Sequence, residues 1–481
     1  MKPWIVKENK EFVGRQHELA LLKKIGSAHQ SSIVIVYGRR RVGKTELLEQ
    51  ALRNRNILKF EGREGLNEKE QIHAALAQLS LYVDDASSAD KPINDWGDFF
   101  QLLALLTATG VWTIYLEELQ WLANYKKNII SHLKYVWDNY FRHNPDLIIV
   151  LCGSSPSFML DKVVSSQALY NRSQYEIPLK ELTILEAKSF LKNKGNREVF
   201  DAYLTLGGIP EYLNRIKNEP SLFLGICNHS FTSGSFFSKE YQRIFTSSLA
   251  NNKHYKEVIE KLSQKKYLER SEFGLESGGS LTTVLIDLEQ CEFIEKYCPF
   301  NASPKSLLVR YMLQDSYLYY YFKFIKPIEK HIQEGIYNSN PKNALNTESY
   351  YKWLGLSFER WCRKHHYIIA KALGFSGVRY QSGSFFSRAT DNQAKGFQID
   401  LMFERADHVL TICEIKYTQT KVSSVVIDQV EQKISLLPNK KGRTIQKILI
   451  CPEGADESLV QRGYFDRILT FNDLIDQKNW D

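Results

Sequence analysis

The chain has 481 residues, of which 43% are apolar and 25% charged, so we expect a globular protein of about three domains. No run of about 18 apolar residues occurs and the amino terminus lacks the apolar core of a signal peptide, which argues against a membrane protein. The seven cysteines include no CxxC pair, which argues against a zinc ribbon or a disulfide framework and favours the cytoplasm. The formal net charge of +8 is compatible with nucleic-acid binding but does not require it.

A strand, a glycine loop and a helix follow one another in the amino-terminal third. The apolar, β-branched run at 33–37 predicts a buried strand, and the residues at 45–52 predict a helix. Between them, GRRRVGKT matches the P-loop pattern GxxxxGK[ST], in which backbone N–H groups face the phosphates of a nucleotide. Lys44 would reach the β- and γ-phosphates, and Thr45 would ligate Mg²⁺. We therefore expect ATP and Mg²⁺ as cofactors, and the cofactor-binding loop is Gly38, Arg39, Arg40, Arg41, Val42, Gly43, Lys44 and Thr45.

Two further apolar runs end in polar residues. The run at 111–116 predicts a second buried strand, and Glu117 and Glu118 follow it. A P-loop ATPase needs acidic groups there, so Glu117 is the candidate Mg²⁺ support and Glu118 the candidate general base. A pair of surface glutamates that opens a helix is the alternative. The third run, at 147–151, ends in CGSSPS, where one of the serines at 154–155 would sense the γ-phosphate unless the segment is a simple turn.

Five segments, spread over 12–213, resemble the archaeal-type ATPases of the STAND group of AAA+-related P-loop proteins. In chain order they are FVGRQHELALL, YGRRRVGKTELL, YLEELQWL, LCGSS and LGGIPEYL. The resemblance implies a three-layer α/β core followed by a helical lid. It also implies that Val13, Gly14 and Arg15 lie near the adenine and that Pro210 contacts the base from the lid.

Two positions are notable against the family pattern. Arg172 matches the arginine that follows the serine strand in the family and would meet the phosphates, although a surface arginine is the alternative. The family usually has Asp-Glu after the second strand, whereas this chain has Glu117 and Glu118. A longer carboxylate still reaches Mg²⁺, often through water, so this departure bears on the turnover rate.

The middle of the chain, at 246–330, predicts a winged helix after a lid at 186–245. An amphipathic helix comes first, a glycine-marked turn leads into a second helix, and a β-ribbon with Pro299 and Pro304 near its turn follows. The family also has a winged helix here. The second helix carries no Arg or Lys, which favours a domain-packing role over reading DNA.

The final third, at 331–481, carries a nuclease-like constellation. In the string ID(x13)EIK, Asp400 lies on one predicted strand, and Glu414 and Lys416 share one face of the next. Two such carboxylates hold Mg²⁺, and a neighbouring ammonium serves the water that attacks a phosphodiester. The pattern resembles the PD-(D/E)xK motif of restriction-endonuclease-like nucleases, and archaeal-type ATPases often carry such a domain. Glu359, on the preceding helix, matches the extra acidic residue of these nucleases.

Two details complete this comparison. Ile399 stands where the motif usually has proline, and Gln429, on a following helix, fits a supporting role. Because the motif is short, a solvated Glu–Lys strand face is the alternative.

Together these observations predict an α/β protein. The domains are a P-loop NTPase three-layer core at 1–185, a helical lid at 186–245, a winged helix at 246–330 and a restriction-endonuclease-like domain at 331–481. The catalytic candidates are Glu118 and Lys416, and the metal-ligand candidates are Thr45, Glu117, Glu359, Asp400 and Glu414.

Three functional hypotheses follow. The first is an ATP-hydrolysing, Mg²⁺-dependent nuclease that is gated by ATP and acts on DNA. The second is an ATP-switched regulatory or DNA-binding protein with an inactive nuclease fold. The third is a transport or signalling ATPase that never meets nucleic acid. In each case we expect a cytoplasmic protein without a membrane partner, while the sequence leaves the oligomeric state and any DNA target open.

Overall fold

The computed structural model describes residues 2, 4–83, 92–248, 254–274, 279–297, 300, 309–387, 396–439 and 442–480. Three β-sheets and the helices around them divide this part of the chain into an amino-terminal core, a helical lid, a middle domain and a carboxy-terminal domain. Among these residues, no helix combines the length and the apolarity that a bilayer crossing requires.

The amino-terminal core is built on a parallel sheet. Its strands are β1 (Ser32–Tyr37), β2 (Asn56–Glu61), β3 (Trp112–Glu117), β4 (Leu147–Gly153) and β5 (Ser173–Pro178), in the order β2-β3-β4-β1-β5. Its helices are α1 (Gln16–Gly26), α2 (Lys44–Leu52), α3 (Glu68–Leu79), α4 (Trp96–Leu106), α5 (Leu119–Leu122), α6 (Asn128–Asn139) and α7 (Pro156–Phe158). A 3-10 turn at Phe141–His143 and a π-helical turn at Met159–Val164 complete it.

The side chains of β1 alternate between two apolar clusters. Ile33 and Ile35 pack in one cluster and Val34 and Val36 in the other, and all four are fully buried. Burial on both faces is expected of a parallel sheet that helices cover from both sides. The core therefore has the three α/β layers that the sequence predicts, and the carboxyl ends of all its strands meet at one edge.

The lid and the middle domain follow the core. The lid helices are α8 (Ile184–Phe190), α9 (Asn196–Leu206), α10 (Pro210–Ile216), α11 (Leu222–Phe231) and α12 (Phe236–Ser248). The middle domain contains α13 (His254–Gln264), β6 (Leu268–Glu269), a 3-10 turn (Arg270–Phe273), α14 (Gly279–Gln290), β7 (Ile294–Tyr297) and β8 (Arg310–Leu313). Its strands pair antiparallel in the order β6-β8-β7. It ends with α15 (Ser316–Tyr320), a π-helical turn (Tyr321–Ile325), a 3-10 turn (Lys326–Ile328) and α16 (Glu329–Gln333).

The second helix of the middle domain is shorter than its sequence indicates. The helical pattern continues past α14, but Glu292 adopts a left-handed φ of 58° and β7 follows. The left-handed residue closes the helix, because Phe293 N then donates to Leu288 O at 2.9 Å. The predicted ribbon turn near Pro299 and Pro304 lies outside the described residues.

The carboxy-terminal domain holds a mixed sheet. Its strands are β9 (Tyr380–Ser387), β10 (Phe397–Arg405), β11 (Val409–Ile415), β12 (Thr444–Ile450) and β13 (Arg467–Leu469), in the order β13-β12-β11-β10-β9. The pairs among β9, β10 and β11 are antiparallel, and those among β11, β12 and β13 are parallel. Its helices are α17 (Thr347–Lys364), α18 (His366–Ala372), α19 (Val426–Ser435), α20 (Glu457–Gln461) and α21 (Phe471–Leu474), with 3-10 turns at Pro341–Ala344 and Gln477–Asn479.

Aromatic packing joins the lid to the carboxy-terminal domain. The ring centroid of Phe200, on α9, lies 5.4 Å from that of Trp361 and 4.8 Å from that of Phe471. All three residues belong to the apolar cluster that also covers one face of the parallel sheet. The lid therefore shares one hydrophobic core with the domains on either side of it.

Candidate functional site

The P-loop lies between β1 and α2, at the carboxyl edge of the parallel sheet. A Cβ atom on Gly38 would be 2.2 Å from Leu179 O, and Gly43 has a φ of 90°, so both positions require glycine. The Lys44 ammonium, on a residue that is 8% exposed, donates to Gly38 O at 2.9 Å and to Arg39 O at 3.1 Å. The lysine is therefore held inside the loop by carbonyls that phosphate oxygens could replace.

Four of the predicted side chains meet beside the loop, at the ends of β3 and β4. The Thr45 hydroxyl donates to the Glu117 carboxylate. Glu118 has a left-handed φ of 51°, and its Oε2 accepts a hydrogen bond from Ser154 Oγ at 2.5 Å. Both serines are buried, but Ser155 lies at the start of α7 and only Ser154 contacts Glu118. The structure thus brings the candidate metal ligands, the candidate base and one candidate sensor to one place.

Lys59, on β2, is a partner of Glu117 that the sequence analysis missed. Its Nζ lies 2.8 Å from Glu117 Oε2 and 3.0 Å from Glu49 Oε1. Burial opposes the charge of Lys59, but the two carboxylates outweigh burial and raise the pKa of the lysine. Lys59 therefore balances the buried charge of Glu117. No local pattern signals this contact, because the two residues lie on different strands.

The predicted adenine-side segment lies between the P-loop and the lid. A Cβ atom on Gly14 would be 2.6 Å from Glu186 Oε1, and Arg15 N donates to the same oxygen at 2.6 Å. The Arg15 guanidinium donates to Val42 O at 3.1 Å, so this side chain stabilises the backbone of the P-loop. From the lid, Pro210 Cγ would lie 3.8 Å from a Cβ atom on Gly43. Val13, two residues before Arg15, is partly buried.

Comparison with known proteins identifies this part of the chain. A family described as an ATPase domain predominantly from Archaea matches residues 12–216. The match covers less than half of the chain and supports an archaeal-type P-loop ATPase domain at these residues. The prediction of an ATP-binding P-loop ATPase core is therefore confirmed.

Individual relatives are more distant. An uncharacterized protein of Methanocaldococcus jannaschii is 28% identical over 367 residues, which cover 73% of this chain and 76% of that protein. An uncharacterized ATP-binding protein of the same archaeon is 44% identical over 46 residues, which cover 10% of this chain and 78% of that protein. The solved Walker-type ATPase of Pyrococcus abyssi is 16% identical, with 66% of this chain and 98% of that chain covered and a TM-score of 0.47.

Two P-loop arginines of the ATPase domain point away from the loop centre. Arg39 Nη1 lies 2.5 Å from Asp315 Oδ2 of the middle domain, and its guanidinium lies 4.6 Å from the ring centroid of Phe293. Arg41 has a left-handed φ of 71°, and its Nη2 lies 3.2 Å from Glu240 Oε2 on lid helix α12. Buried carboxylates of the middle domain and the lid hold these two side chains, so the predicted contribution of Arg39 and Arg41 to the nucleotide site is that of their backbone N–H groups and stays a prediction. Arg40, between them, is exposed, and Val42 is fully buried.

Arg172 does not reach the phosphate loop. It precedes β5 and therefore lies at the amino edge of the parallel sheet, opposite the edge that carries the P-loop. Its Nε and Nη2 donate to the two carboxylate oxygens of Asp138, at 2.7 and 2.9 Å. These hydrogen bonds lower the pKa of Asp138 to about 2. This position favours the alternative, a surface arginine, which in the structure forms an ion pair with Asp138.

A second cluster of predicted residues forms in the carboxy-terminal domain. The antiparallel register of β10 and β11 pairs Leu401 with Cys413 and so places Asp400 beside Glu414. Asp400 Oδ2 accepts a hydrogen bond from Ile415 N at 3.1 Å. Burial, followed by the nearby charges of Glu414 and Glu359, raises the pKa of Asp400 to about 6.

Lysines surround the Glu414 carboxylate. Glu414 is 2% exposed, and its two oxygens lie 2.9 Å from Lys416 Nζ and 2.5 Å from Lys433 Nζ. The sequence analysis proposed a supporting role for Gln429 on α19, but the side chain of this residue is exposed. It missed Lys433, one turn later on the same helix, which contacts Glu414. In the described ranges, no group of three or more His, Cys, Asp and Glu side chains is arranged to hold a metal ion. Glu359, which lies 3.5 Å from Arg363 Nη1, is therefore not gathered into a metal-ligand set.

The position of Glu118 generates the first prediction. Glu118→Gln should slow ATP hydrolysis by roughly 10²-fold or more, because an amide keeps the hydrogen bond from Ser154 but accepts no proton. Calorimetric affinity for ATP should stay close to that of the wild type. Glu117→Gln is the matched contrast at the adjacent carboxylate and should weaken the Mg²⁺ dependence instead. A Glu118→Gln protein that releases phosphate at the wild-type rate would show that the base lies elsewhere.

The raised pKa of Asp400 generates the second prediction. The folded state holds this proton up to about pH 6, whereas an unfolded Asp loses it near pH 4, so wild-type stability falls as pH rises between these values. Asp400→Asn should remove this loss of about 3 kcal/mol and melt a few degrees higher than wild type at pH 8. At pH 4 the two proteins should differ little.

The melting curves are measured in a chelator, so that no metal occupies the site. Asp428→Asn, at an exposed position on α19, is the charge-matched control and should give no gain at pH 8. If Asp400→Asn melts below the wild type at pH 8, the interpretation that burial and nearby carboxylates destabilise the ionised form of Asp400 is contradicted.

Proposed function

We propose that the protein is an ATP-controlled switch whose carboxy-terminal domain acts on nucleic acid. One observation carries this proposal. Tyr417, the residue directly after Lys416, donates its hydroxyl proton to Asp201 Oδ1 on lid helix α9 at 2.7 Å. The lid that covers the ATP site thus holds the chain segment that carries the candidate catalytic lysine.

ATP would act first on the P-loop. Lys44 would exchange its carbonyl partners for the β- and γ-phosphates, and Glu118 would take a proton from the attacking water. The contact between the Thr45 hydroxyl and the Glu117 carboxylate offers the oxygen ligands that Mg²⁺ prefers, so these residues would hold the cation. Mg²⁺ would supply charge neutralisation for the phosphates.

A rearrangement of the P-loop would change contacts with two other domains. Arg39 and Arg41 lie within the loop and end on Asp315 of the middle domain and Glu240 of the lid. A change in the loop backbone therefore alters two ion pairs that are largely shielded from water. We interpret the middle domain, with two helices and a small antiparallel sheet, as a winged helix that packs against the switch.

The lid would pass the change to the carboxy-terminal domain. Besides the Asp201 contact, Arg197 donates to Thr418 O at 2.6 Å, and its guanidinium lies 4.1 Å from the ring centroid of Tyr417. These contacts grip the residues after β11 from one helix, α9. A shift of that helix would move Lys416 relative to Glu414 and Asp400, which lie on strands of the sheet.

Two chemical roles are open to the carboxy-terminal site. In the first, Asp400 and Glu414 hold a divalent cation, and Lys416 orients the water that attacks a phosphodiester. In the second, the domain only grips nucleic acid. The second role is favoured by the two lysines that already neutralise Glu414, since a cation would have to displace or repel them. We place cleavage first, because Asp400 and Glu414 lie side by side on neighbouring strands.

The third prediction separates these roles. Wild-type protein should nick supercoiled plasmid in Mn²⁺, and Asp400→Ala and Lys416→Ala should each lose nicking while keeping ATP hydrolysis. Lys421→Ala, an exposed lysine in the same segment, is the matched control and should nick normally. In calorimetry, Lys416→Ala should keep its affinity for the metal because both carboxylates remain. Asp400→Ala should lose that affinity, because the one remaining carboxylate holds the cation poorly. Salt-sensitive plasmid binding without nicking by any variant would leave the gripping role in first place.

The fourth prediction tests ATP control without requiring cleavage. ATP should change the amide hydrogen exchange of residues 414–420 in the wild type, and Tyr417→Phe should remove most of that change, because it deletes only the hydroxyl that meets Asp201. Tyr351→Phe, on α17, is the matched control and should respond like the wild type. An unchanged ATP response in Tyr417→Phe would show that the signal takes another route.

A further inference from the structure

A cavity of about 700 Å³ lies between the middle domain and the carboxy-terminal domain. The sheet of the middle domain, helix α17 and strand β9 line it, while the P-loop contributes no residue to it. This volume lies in the range of small-molecule sites, which is roughly 300 to 1,000 Å³. Neither ATP binding nor the nuclease-like residues account for the cavity.

Cationic side chains outnumber carboxylates in the wall. The cavity is lined by Lys266, Arg310, Arg360, Arg363 and Lys364, against Glu181 and Glu295. Three of the five cations have a carboxylate at 3.3 to 3.7 Å, whereas Arg360 and Lys266 have none within ion-pair distance in the described part of the chain. The lining therefore carries a surplus of positive charge.

Arg360 is the clearest case of an unmatched cation. Its Nη2 donates to Ser357 Oγ at 2.8 Å, and its guanidinium lies 3.8 Å from the ring centroid of Tyr319. Burial lowers the pKa of Arg360 and the charge of Arg363 lowers it further, while Tyr319 and the charge of Glu359 oppose this in part. A partly buried cation that forms no ion pair is costly, so an anionic occupant would stabilise this wall.

The rest of the wall is aromatic and rich in hydroxyl groups. Lys266 Nζ lies 4.5 Å from the ring centroid of Phe386, and the Arg310 guanidinium lies 3.9 Å from that of Tyr267. Trp361 also lines the cavity, and its indole N–H is buried with no acceptor among the described residues. Serine side chains of β9 lie alongside. Aromatic faces beside hydrogen-bonding groups suit a planar base, and the guanidinium groups suit a phosphate.

We propose that this cavity binds a nucleoside phosphate, either a free nucleotide or the terminal nucleotide of a strand. Arg363 links the cavity to the neighbouring cluster, since it donates to Asp400 O at 3.4 Å and pairs with Glu359. A bound strand end would thus lie beside the nuclease-like residues. The inference goes beyond ATP control and beyond cleavage, and it requires neither of them.

The test uses the full chain with Lys44→Ala, so that the P-loop does not contribute to binding. Isothermal titration compares three probes, which are deoxyadenosine monophosphate, a 5′-phosphorylated hexanucleotide and uncharged deoxyadenosine. The phosphorylated probes should bind, and deoxyadenosine should bind at least about tenfold more weakly, because it lacks the charge-assisted hydrogen bonds. Tighter binding of the hexanucleotide assigns the cavity to strands, and binding of the mononucleotide alone assigns it to free nucleotides.

Arg360→Met, added to the same background, should weaken the phosphorylated probes by roughly tenfold or more. Lys352→Met removes an exposed lysine from the outer face of the same helix and should leave binding unchanged. Arg360→Met should melt no lower than its parent, since it removes an unmatched cation, and Lys266→Met gives a second variant at a more exposed position. The proposal is overturned if no phosphorylated probe binds, or if both variants bind as well as the parent. Failure here leaves plasmid nicking and the ATP response of residues 414–420 untouched, so the two proposals fail separately.

Discussion

The buried ion pair between Arg39 and Asp315 connects the nucleotide site to the rest of the molecule. Burial opposes the charge of Arg39, but Asp315 outweighs it and raises the pKa of the guanidinium. Asp315 also accepts a hydrogen bond from Leu318 N at 2.6 Å and so caps α15. Removing one partner of such a pair leaves a charge stranded in the protein, at a cost of roughly 3–5 kcal/mol. The phosphate loop and the start of a helix in the middle domain are therefore fixed by the same two side chains.

Both candidate catalytic sites balance buried carboxylates with lysines. Glu117 is paired with Lys59, and Glu414 is paired with Lys416 and Lys433. Each lysine offsets part of the free-energy cost of burying the charge of its carboxylate. At either site, a lysine already neutralises part of the negative charge that a bound divalent cation would neutralise. Metal binding should therefore be coupled to movement of the lysine, which gives each site two charge-balanced states.

The parts of the structure that the sequence predicts correctly are local. The P-loop is specified by eight consecutive residues with a strand before and a helix after them, and the Asp400–Glu414 pair follows from the tight hairpin that joins two consecutive strands. The parts that it does not predict depend on distant partners. Lys59 and Lys433 sit on elements whose own patterns say nothing about the carboxylate they meet. The second helix of the middle domain is predicted, but its end is not, since the end depends on one left-handed residue inside a helical pattern.

The P-loop arginines also show that contacts with distant partners are not predicted by a local motif. The motif fixes the backbone of the loop, but it leaves the direction of the Arg39 and Arg41 side chains open, and domains much later in the chain decide it. Arg172 is a clearer case, because its place at the amino edge of the sheet follows from topology and not from its neighbours. Family resemblance names positions, whereas the sheet order determines which of them can meet.

Under the proposed function, the contact between α9 and the segment directly after β11 limits how strongly ATP could control the carboxy-terminal domain through that segment. In the described part of the chain, the polar contacts of α9 with the segment directly after β11 are the Tyr417–Asp201 hydrogen bond, the Arg197 hydrogen bond to Thr418 O and the Arg197–Tyr417 stacking. Each such interaction contributes on the order of 1 kcal/mol, so the coupling free energy available through this segment is about 1–3 kcal/mol. That range corresponds to a change of roughly 5- to 150-fold in affinity or population. The aromatic packing of Phe200 against Trp361 and Phe471 holds the two domains together in both states, since it involves no group that ATP touches. Under the proposed function, ATP should therefore change the activity of the carboxy-terminal domain by degrees and leave a measurable basal level in its absence.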